Sequence, residues 1–168
     1  ISDKTKITFI SKFIPYINYP DPKPKKSLYN ARGMQVLNDL LYLCYDAGGL
    51  RIINIKDKVN PVEIGRYSNP IMNGKPRAYN NIVIEDSLAY IAVDYCGMEV
   101  LNIKDLSKIK TTGWWNPYGC PKNNWFSSPV HANEIVYDKK NRLLFLSTGN
   151  SDLSVLGVSV PSQPVLCS

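Results

Sequence analysis

The residue best suited to general acid–base chemistry is the single histidine, His131, because an imidazole changes charge near neutral pH. It lies in the segment Pro-Val-His-Ala-Asn at residues 129–133. No Ser or Cys nucleophile with a supporting acid is implied by the spacing of the other residues. The sequence therefore favours a structural, hydrogen-bonded histidine, with a catalytic base as the alternative.

The cysteines and the recurring aspartates do not form the pattern of a metal site. No Cys-x-x-Cys pair occurs among the four cysteines, Cys44, Cys96, Cys120 and Cys167, which argues against zinc. Asp46 and Asp94 lie in turns, where their oxygens can accept backbone N–H bonds, and these turns offer too few ligands for calcium. The glycine-rich phosphate motifs do not occur either. We expect no metal and no cofactor.

The composition is that of an ordinary globular protein, with 44% hydrophobic and 20% charged residues among 168. The net charge of +6 suits an anionic partner, but the lysines are scattered along the chain. A solvated basic face is therefore favoured over a nucleic-acid site. No apolar run approaches the roughly 20 residues that a transmembrane helix needs. We expect neither a nucleic-acid partner nor a transmembrane segment.

The elements that must position these residues come from an internal repeat. Residues 46–57 read DAGGLRIINIKD, and residues 94–105 read DYCGMEVLNIKD, at an offset of 48. A weaker third copy follows, in which residues 143–147 match residues 88–92 at an offset of 55. A repeat of this length indicates one supersecondary unit per copy.

Each copy shows the period-two alternation and the turn residues of short β-strands. In the second copy we predict strands at residues 82–85, 88–93, 98–103 and 110–115. Four strands in 40–50 residues is typical of a β-propeller blade. The fold class is therefore all-β, with four-stranded antiparallel meanders forming about three propeller blades. The blades are predicted at residues 31–67, 79–115 and 132–166 of a single segment spanning 1–168, with an outer strand (9–13) and a Pro/Lys-rich loop in residues 1–30.

The first copy resembles the LVIVD-repeat family. The resemblance is carried by Tyr42, by Asp-Ala-Gly-Gly-Leu-Arg-Ile-Ile-Asn-Ile at residues 46–55, and by Asn-Pro-Val-Glu-Ile-Gly at residues 60–65. It implies a β-propeller, often found on secreted or envelope-anchored bacterial proteins, but no shared activity or catalytic set. The localisation expected from it is extracellular or in the cell envelope, at the surface or in the periplasm.

Successive turns of an antiparallel meander alternate between its two ends, which assigns each loop to a face. Cys96 lies in a turn and Cys120 in the next long loop at the same end, so we predict that they form a disulfide, which implies an oxidising compartment. Cys44 lies within a strand and is predicted to be a buried thiol. The lysines of the opposite turns, among them Lys56, Lys104 and Lys140, are predicted to lie on the other face.

The long loops between copies are rich in aromatic residues, Arg and Asn, the types enriched in binding sites. Packing of these loops over the blade ends is the alternative reading of the same residues. The binding residues predicted on this loop face are Arg77, Tyr79, Tyr118, Trp125, Phe126 and His131.

These observations favour a non-catalytic binding or interaction scaffold of the bacterial cell envelope or surface, which binds a protein partner through the loop face. One alternative is a propeller enzyme, a hydrolase or lyase, with a channel site at His131, Arg32, Arg77 and Asn80. Another is a glycan-binding propeller. Three blades cannot close a ring, because propellers need roughly four to eight. We therefore expect further blades, from additional sequence, another chain or copies of this one.

Overall fold

The computed structural model describes residues 5–122, 131–149 and 152–167. It is an all-β structure of three four-stranded antiparallel sheets, with two short 3-10 helices at Lys26–Leu28 and Pro70–Met72. The first sheet contains β1 (Met34–Leu37), β2 (Leu40–Cys44), β3 (Leu50–Asn54) and β4 (Val62–Tyr67). The second contains β5 (Ala78–Glu85), β6 (Leu88–Asp94), β7 (Gly97–Asn102) and β8 (Lys110–Trp115). The third contains β9 (Ala132–Asp138), β10 (Leu143–Thr148), β11 (Leu153–Gly157) and β12 (Val165–Leu166).

Neighbouring strands in each sheet follow one another along the chain, so each sheet is a meander. The all-β prediction with four strands per repeat is confirmed. The repeat also includes a shift in strand register. The pairing of β3 with β4 shifts between Ile52 and Ile53, and the pairing of β7 with β8 shifts between Val100 and Leu101. These two positions differ by the sequence offset of 48.

The first strand of the second sheet is longer than predicted. It begins at Ala78 instead of residue 82, because Ala78 and Tyr79 pair with Asp94 and Val93 ahead of a bulge. A bulge interrupts the alternation of buried and exposed residues, which is the signal from which a strand is predicted.

The sheets stack in the order of the sequence through two apolar clusters. Tyr42 and Ile52 of the first sheet pack in one cluster with Ile91 of the second. Tyr90, 48 residues after Tyr42, lies on the opposite face of the second sheet and packs in another cluster with Leu144 of the third. Each fully buried aliphatic side chain of this kind contributes roughly 1.5–3 kcal/mol. The three sheets do not close on themselves.

The segment before β1 departs from the prediction. Described residues 5–33 contain no strand, so the outer strand predicted at residues 9–13 is wrong. An outer strand needs the ladder of another strand beside it, and the described chain offers none before β1. Instead, Phe13, Ile17 and Tyr29 pack on Leu43 and Ile53, covering the outer face of the first sheet.

A buried arginine fastens this segment to the sheet. Arg51, the second residue of β3, is fully buried and donates to the carbonyl oxygens of Tyr16 at 2.9 Å and Tyr19 at 2.7 Å. Its Nη1 also lies 3.1 Å from the Glu63 carboxylate, and the guanidinium sits 5.2 Å from the centre of the Tyr19 ring. Arg51 thus joins the segment, β3 and β4.

The equivalent position in the second sheet is Glu99, 48 residues after Arg51. Glu99 is also fully buried and accepts hydrogen bonds from Asn69 Nδ2 at 2.9 Å, the Tyr79 hydroxyl at 2.8 Å and the Thr111 hydroxyl at 2.5 Å. Burial raises the pKa of Glu99, and these three hydrogen bonds oppose the shift. Asn69 lies in the linker between the first two sheets, so this position again binds the segment that precedes its sheet.

Candidate binding site

The three sheets meet where their first strands begin. The Gly33 N–H, just before β1, donates to the carbonyl of Asn80 in β5 at 2.6 Å. Asn80 Nδ2 donates to the carbonyl of Ala132, the first residue of β9, at 2.9 Å. A Cβ atom at Gly33 would overlap Asn80 and Asn81, so only glycine permits this close approach. The loop ends of all three sheets are thereby held side by side.

A cleft of about 920 Å³ opens at this end. Its size is at the upper end of the range typical of ligand pockets, roughly 300–1,000 Å³. Its walls come from the segment before β1, the linker before β5, the turn after β6 and the starts of β5 and β9. The charged residues that line it are Asp21, Lys25, Arg32, Asp46, Lys75, Arg77, Asp94 and Lys122.

A carboxylate–imidazole pair lies at the wall of the cleft. Asp94 Oδ1 is 2.8 Å from His131 Nδ1 and accepts the backbone N–H groups of Tyr95 at 3.1 Å and Ala132 at 3.3 Å. Burial raises the pKa of Asp94, and the contacts with His131 lower it. The Tyr95 ring meets the imidazole edge-on at 5.3 Å between centroids. His131 is therefore oriented by Asp94, as a general base is, and the pair also links the second sheet to the third.

The repeat-equivalent aspartate, Asp46, has a different role. Its Oδ2 accepts Asn30 Nδ2 at 2.9 Å and Arg32 Nη2 at 3.1 Å. Its carbonyl oxygen accepts the N–H groups of Gly49 and Tyr79. The prediction that side-chain oxygens cap this turn fits Asp94, which binds the next backbone N–H, and is wrong for Asp46. Its turn is held by main-chain bonds, which leave the carboxylate to fix Asn30 and Arg32.

Cys96 and Cys120 form a disulfide with their Cα atoms 4.5 Å apart, the pairing that the sequence predicts. The Trp114 indole N–H donates to the Cys96 carbonyl at 2.8 Å, and Asn116 Nδ2 lies 3.3 Å from Cys120 Sγ. The long loop after β8 is thereby tied to the turn after β6. Cys44 is a buried free thiol, as predicted, and burial raises its pKa.

The structure brings some of the predicted binding residues together. Arg77 lines the cleft, and His131 contacts Asp94 in its wall. Tyr79 is fully buried and donates to Glu99, so it offers no surface to a partner. Tyr118 is half exposed and lines a separate small cavity beside Trp115. The remaining two, Trp125 and Phe126, lie outside the described residues. Of the alternative channel residues, Arg32 and Asn80 also line the cleft.

Several cleft residues were not predicted from the sequence. Lys25 and Lys75 lie in loops whose course no pattern defines. Asn30, which binds the cleft residue Asp46, follows no repeat. The sequence signal for the cleft was the recurrence of Asp46 and Asp94 at the repeat offset of 48 residues, because both aspartates lie in turns that face the cleft. Aspartates at equivalent turns indicate positions where one sheet binds its neighbours.

Within the described ranges, no group of His, Cys, Asp and Glu side chains is arranged to hold a metal ion. The described part of the chain also contains no helix with the length and apolarity to cross a membrane. Comparison of the sequence with models of known protein families gives no match, and neither does comparison with characterised proteins. Function must therefore be inferred from the geometry of the cleft.

Proposed function

We propose that this chain is a non-catalytic binding module of the β-propeller type, built from LVIVD-like repeats, which holds a protein partner in the cleft at the loop face. The observation that carries the proposal is the cleft itself, about 920 Å³ in volume, with walls from the segment before β1, the turn after β2, and the second and third sheets. Its walls are fixed by the main-chain bond from Gly33 to Asn80, by the bond from the Asn80 side chain to the Ala132 carbonyl, and by the Cys96–Cys120 disulfide. Preorganised walls of this kind reduce the entropy lost on binding.

The propeller arrangement is supported by the way the sheets stack. Equivalent residues, Tyr42 and Tyr90, face the following sheet in each interface, as successive blades of a ring do. The corresponding face of the third sheet is exposed at Val136 and Leu153, and exposed apolar side chains on one face mark an interface. We infer that additional blades complete a ring around the cleft.

The ring is tested by comparing the solution mass of the native particle with the mass of its denatured chains. We expect a native particle that contains further blades, from a longer polypeptide, a companion chain or copies of this one. A soluble 18.9 kDa monomer without further sequence would overturn the ring and leave the cleft intact.

Localisation at the bacterial cell surface or in the periplasm belongs to the same proposal. It is supported by the disulfide, since such bonds persist in oxidising compartments.

A catalytic role is the second candidate, and the Asp94–His131 pair favours it. An imidazole oriented by a carboxylate at 2.8 Å has the geometry of a general base for a hydrolase or lyase. The His131 side chain is only 12% exposed, however, and the pair joins two sheets, which is sufficient reason for its geometry. Conversion of His131 to Gln distinguishes the roles: an enzyme loses turnover, whereas a binding module keeps its affinity at the cleft.

Protein binding at the cleft is tested by site-directed photocrosslinking in an extract of the source cells. A photoreactive amino acid replaces Asn73, which is exposed and lines the cleft, or, as the matched control, Lys108, which is exposed in the β7–β8 connection at the other end of the strands. We expect a discrete protein adduct from position 73 and none from position 108. Equal labelling at both positions, or none at either, would contradict the proposal.

A further inference from the structure

The charges in the cleft are unbalanced. Five cationic side chains line it, Lys25, Arg32, Lys75, Arg77 and Lys122, against three carboxylates. The difference is 5 − 3 = +2 among residues that share one concave surface. A concave surface with one dominant sign focuses the electrostatic field and raises the local concentration of ions of the opposite sign.

The three carboxylates are already engaged. Asp46 Oδ2 binds Asn30 and Arg32, Asp94 binds His131, and Asp21 Oδ1 accepts the N–H of Lys23 at 2.8 Å. Among the residues that the structure describes, Arg32 is the one cleft cation that forms an ion pair. Among the described residues, no carboxylate forms a salt bridge with the other four cations, Lys25, Lys75, Arg77 and Lys122.

Arg77 is the cation most firmly held in place. Its Nη1 donates to the carbonyl of Met72 at 2.7 Å, which fixes the guanidinium at the end of the linker before β5. Within the described part of the chain, this is its one hydrogen bond among the five N–H donors that a guanidinium carries. Its Nε is buried, so the donors that remain for a carboxylate are those of Nη1 and Nη2.

The aromatic residues of the cleft argue against a glycan. Tyr29 is 8% exposed, and its ring packs edge-on against Tyr45 at 5.9 Å, while the Tyr95 ring contacts His131. Tyr29 therefore presents no open ring face on which a sugar can stack, and the Tyr95 ring is partly buried. The other polar groups that line the cleft are guanidinium, ammonium and amide groups. These groups form ion pairs and hydrogen bonds with carboxylates and peptide groups.

We propose that the cleft binds an acidic peptide segment, in which Asp or Glu side chains pair with Arg77 and with the exposed ammonium groups of Lys25, Lys75 and Lys122. This inference rests on the proposed function and specifies the chemistry of the partner. The volume of about 920 Å³ accommodates a short segment and not only a single ion. Because most of the attraction is electrostatic, affinity and association rate fall as salt screens the charges.

The test measures binding of fluorescein-labelled octaglutamate to the intact protein by fluorescence anisotropy, at low salt and through a salt series. Octalysine, a neutral Gly/Ser octapeptide and polygalacturonate are measured in parallel. We expect octaglutamate to bind, octalysine and the neutral peptide not to bind, and polygalacturonate to bind more weakly than octaglutamate. Arg77→Gln should weaken octaglutamate binding by about tenfold, as expected for loss of a charge-assisted hydrogen-bonded pair.

Two further variants locate the effect. Lys75→Gln changes an exposed side chain that lines the cleft and should weaken binding several-fold without affecting the fold. Lys108→Gln, the matched control, removes one charge from an exposed side chain in the β7–β8 connection and should leave binding unchanged.

The possible failures are distinguishable. Equal losses in Lys75→Gln and Lys108→Gln would show that net charge, and not the cleft, attracts the peptide. Tighter binding of polygalacturonate would overturn a peptide partner in favour of an anionic glycan. Absence of octaglutamate binding overturns the acidic-segment inference, while adducts from position 73 would still support protein binding at the cleft.

Discussion

Arg51 provides the most direct test of how this fold is held together. Its guanidinium is completely buried, yet it binds two carbonyl oxygens of the segment before β1 and one carboxylate of β4. We predict that Arg51→Met, which keeps the apolar stem and removes the charge, destabilises the protein strongly. The loss has two parts: the segment at residues 13–29 loses its anchor, and the carbonyl groups of Tyr16 and Tyr19 lose their donors.

The expected magnitude follows from these contacts. Removing one partner of a buried ion pair costs about 3–5 kcal/mol, because the other charge is left in a medium of low polarity. The Glu63 carboxylate keeps two other partners, since Arg66 Nε lies 2.9 Å from it and the Tyr16 N–H donates to it at 2.8 Å. The loss should therefore be near the lower bound, about 3 kcal/mol, which is a large share of the 5–15 kcal/mol of a typical domain.

Urea unfolding followed by tryptophan fluorescence measures this loss. Arg66→Met is the matched control, because Arg66 pairs with the same Glu63 carboxylate but is 35% exposed. Exposed ion pairs contribute only about 0.2–1 kcal/mol, so the control should lose no more than that. Limited proteolysis adds a local measurement: Arg51→Met should expose the chain within residues 13–29 to cleavage under native conditions. Arg66→Met, which loses the contact of its guanidinium with the Tyr16 ring at 4.7 Å, should expose it far less.

Equal losses in the two variants, or a loss below about 1 kcal/mol for Arg51→Met, would refute the assignment of Arg51 as the anchor. Unchanged proteolysis within residues 13–29 would refute it independently, because that measurement does not depend on global stability.

Three further predictions concern other contacts. The raised pKa of Glu99 means that its native carboxyl binds a proton more tightly than the unfolded one, so its contribution to stability is complete at acid pH and is lost as pH rises through the native pKa. In urea unfolding, the stability of Glu99→Gln relative to that of the natural protein should therefore be higher at pH 7 than at pH 4. The same relative stability at both pH values would contradict this. The double variant Cys96→Ser, Cys120→Ser should lose roughly 3 kcal/mol through its unfolded state, with Cys167→Ser unchanged, and alkylation of four thiols after denaturation without reductant would exclude the bond. Gly33→Ala, whose new methyl group meets the backbone of β5, should lose about 1–3 kcal/mol in thermal unfolding, and an unaltered midpoint would argue against the close approach.

The order of the strands could be predicted because it follows from local patterns. The period of 48 residues and the alternation within each copy define four strands per sheet, and the register shifts recur at the same period. Tyr42 and Tyr90 could be recognised as equivalent positions of the repeat for the same reason. Local alternation does not reveal what covers the outer face of the first sheet, because that depends on a segment with no strand pattern of its own.

The cleft was less predictable than the sheets. Arg77 and His131 were found because their loops are long and rich in binding-type residues, and the structure places Arg77 at the cleft and His131 against Asp94 in its wall. The same criterion selected Tyr79, which instead donates a hydrogen bond within the core. Composition cannot distinguish these outcomes, since a tyrosine at the start of a strand points inward or outward according to a bulge that only the pairing defines.

One repeat position contributes both to the stability of the fold and to the walls of the cleft. Arg51 binds the segment that precedes the first sheet, and Glu99 binds the linker that precedes the second; these two segments supply Lys25, Lys75 and Arg77 to the cleft. In the third sheet the same position is Ser154, a short side chain that lines a small cavity with Trp115 and Tyr118. A long charged side chain at this position therefore fixes a cleft wall, whereas a short one leaves space. It follows that changes at Arg51 or Glu99 should alter ligand affinity without touching a ligand, by displacing the lysines and arginine that these segments carry.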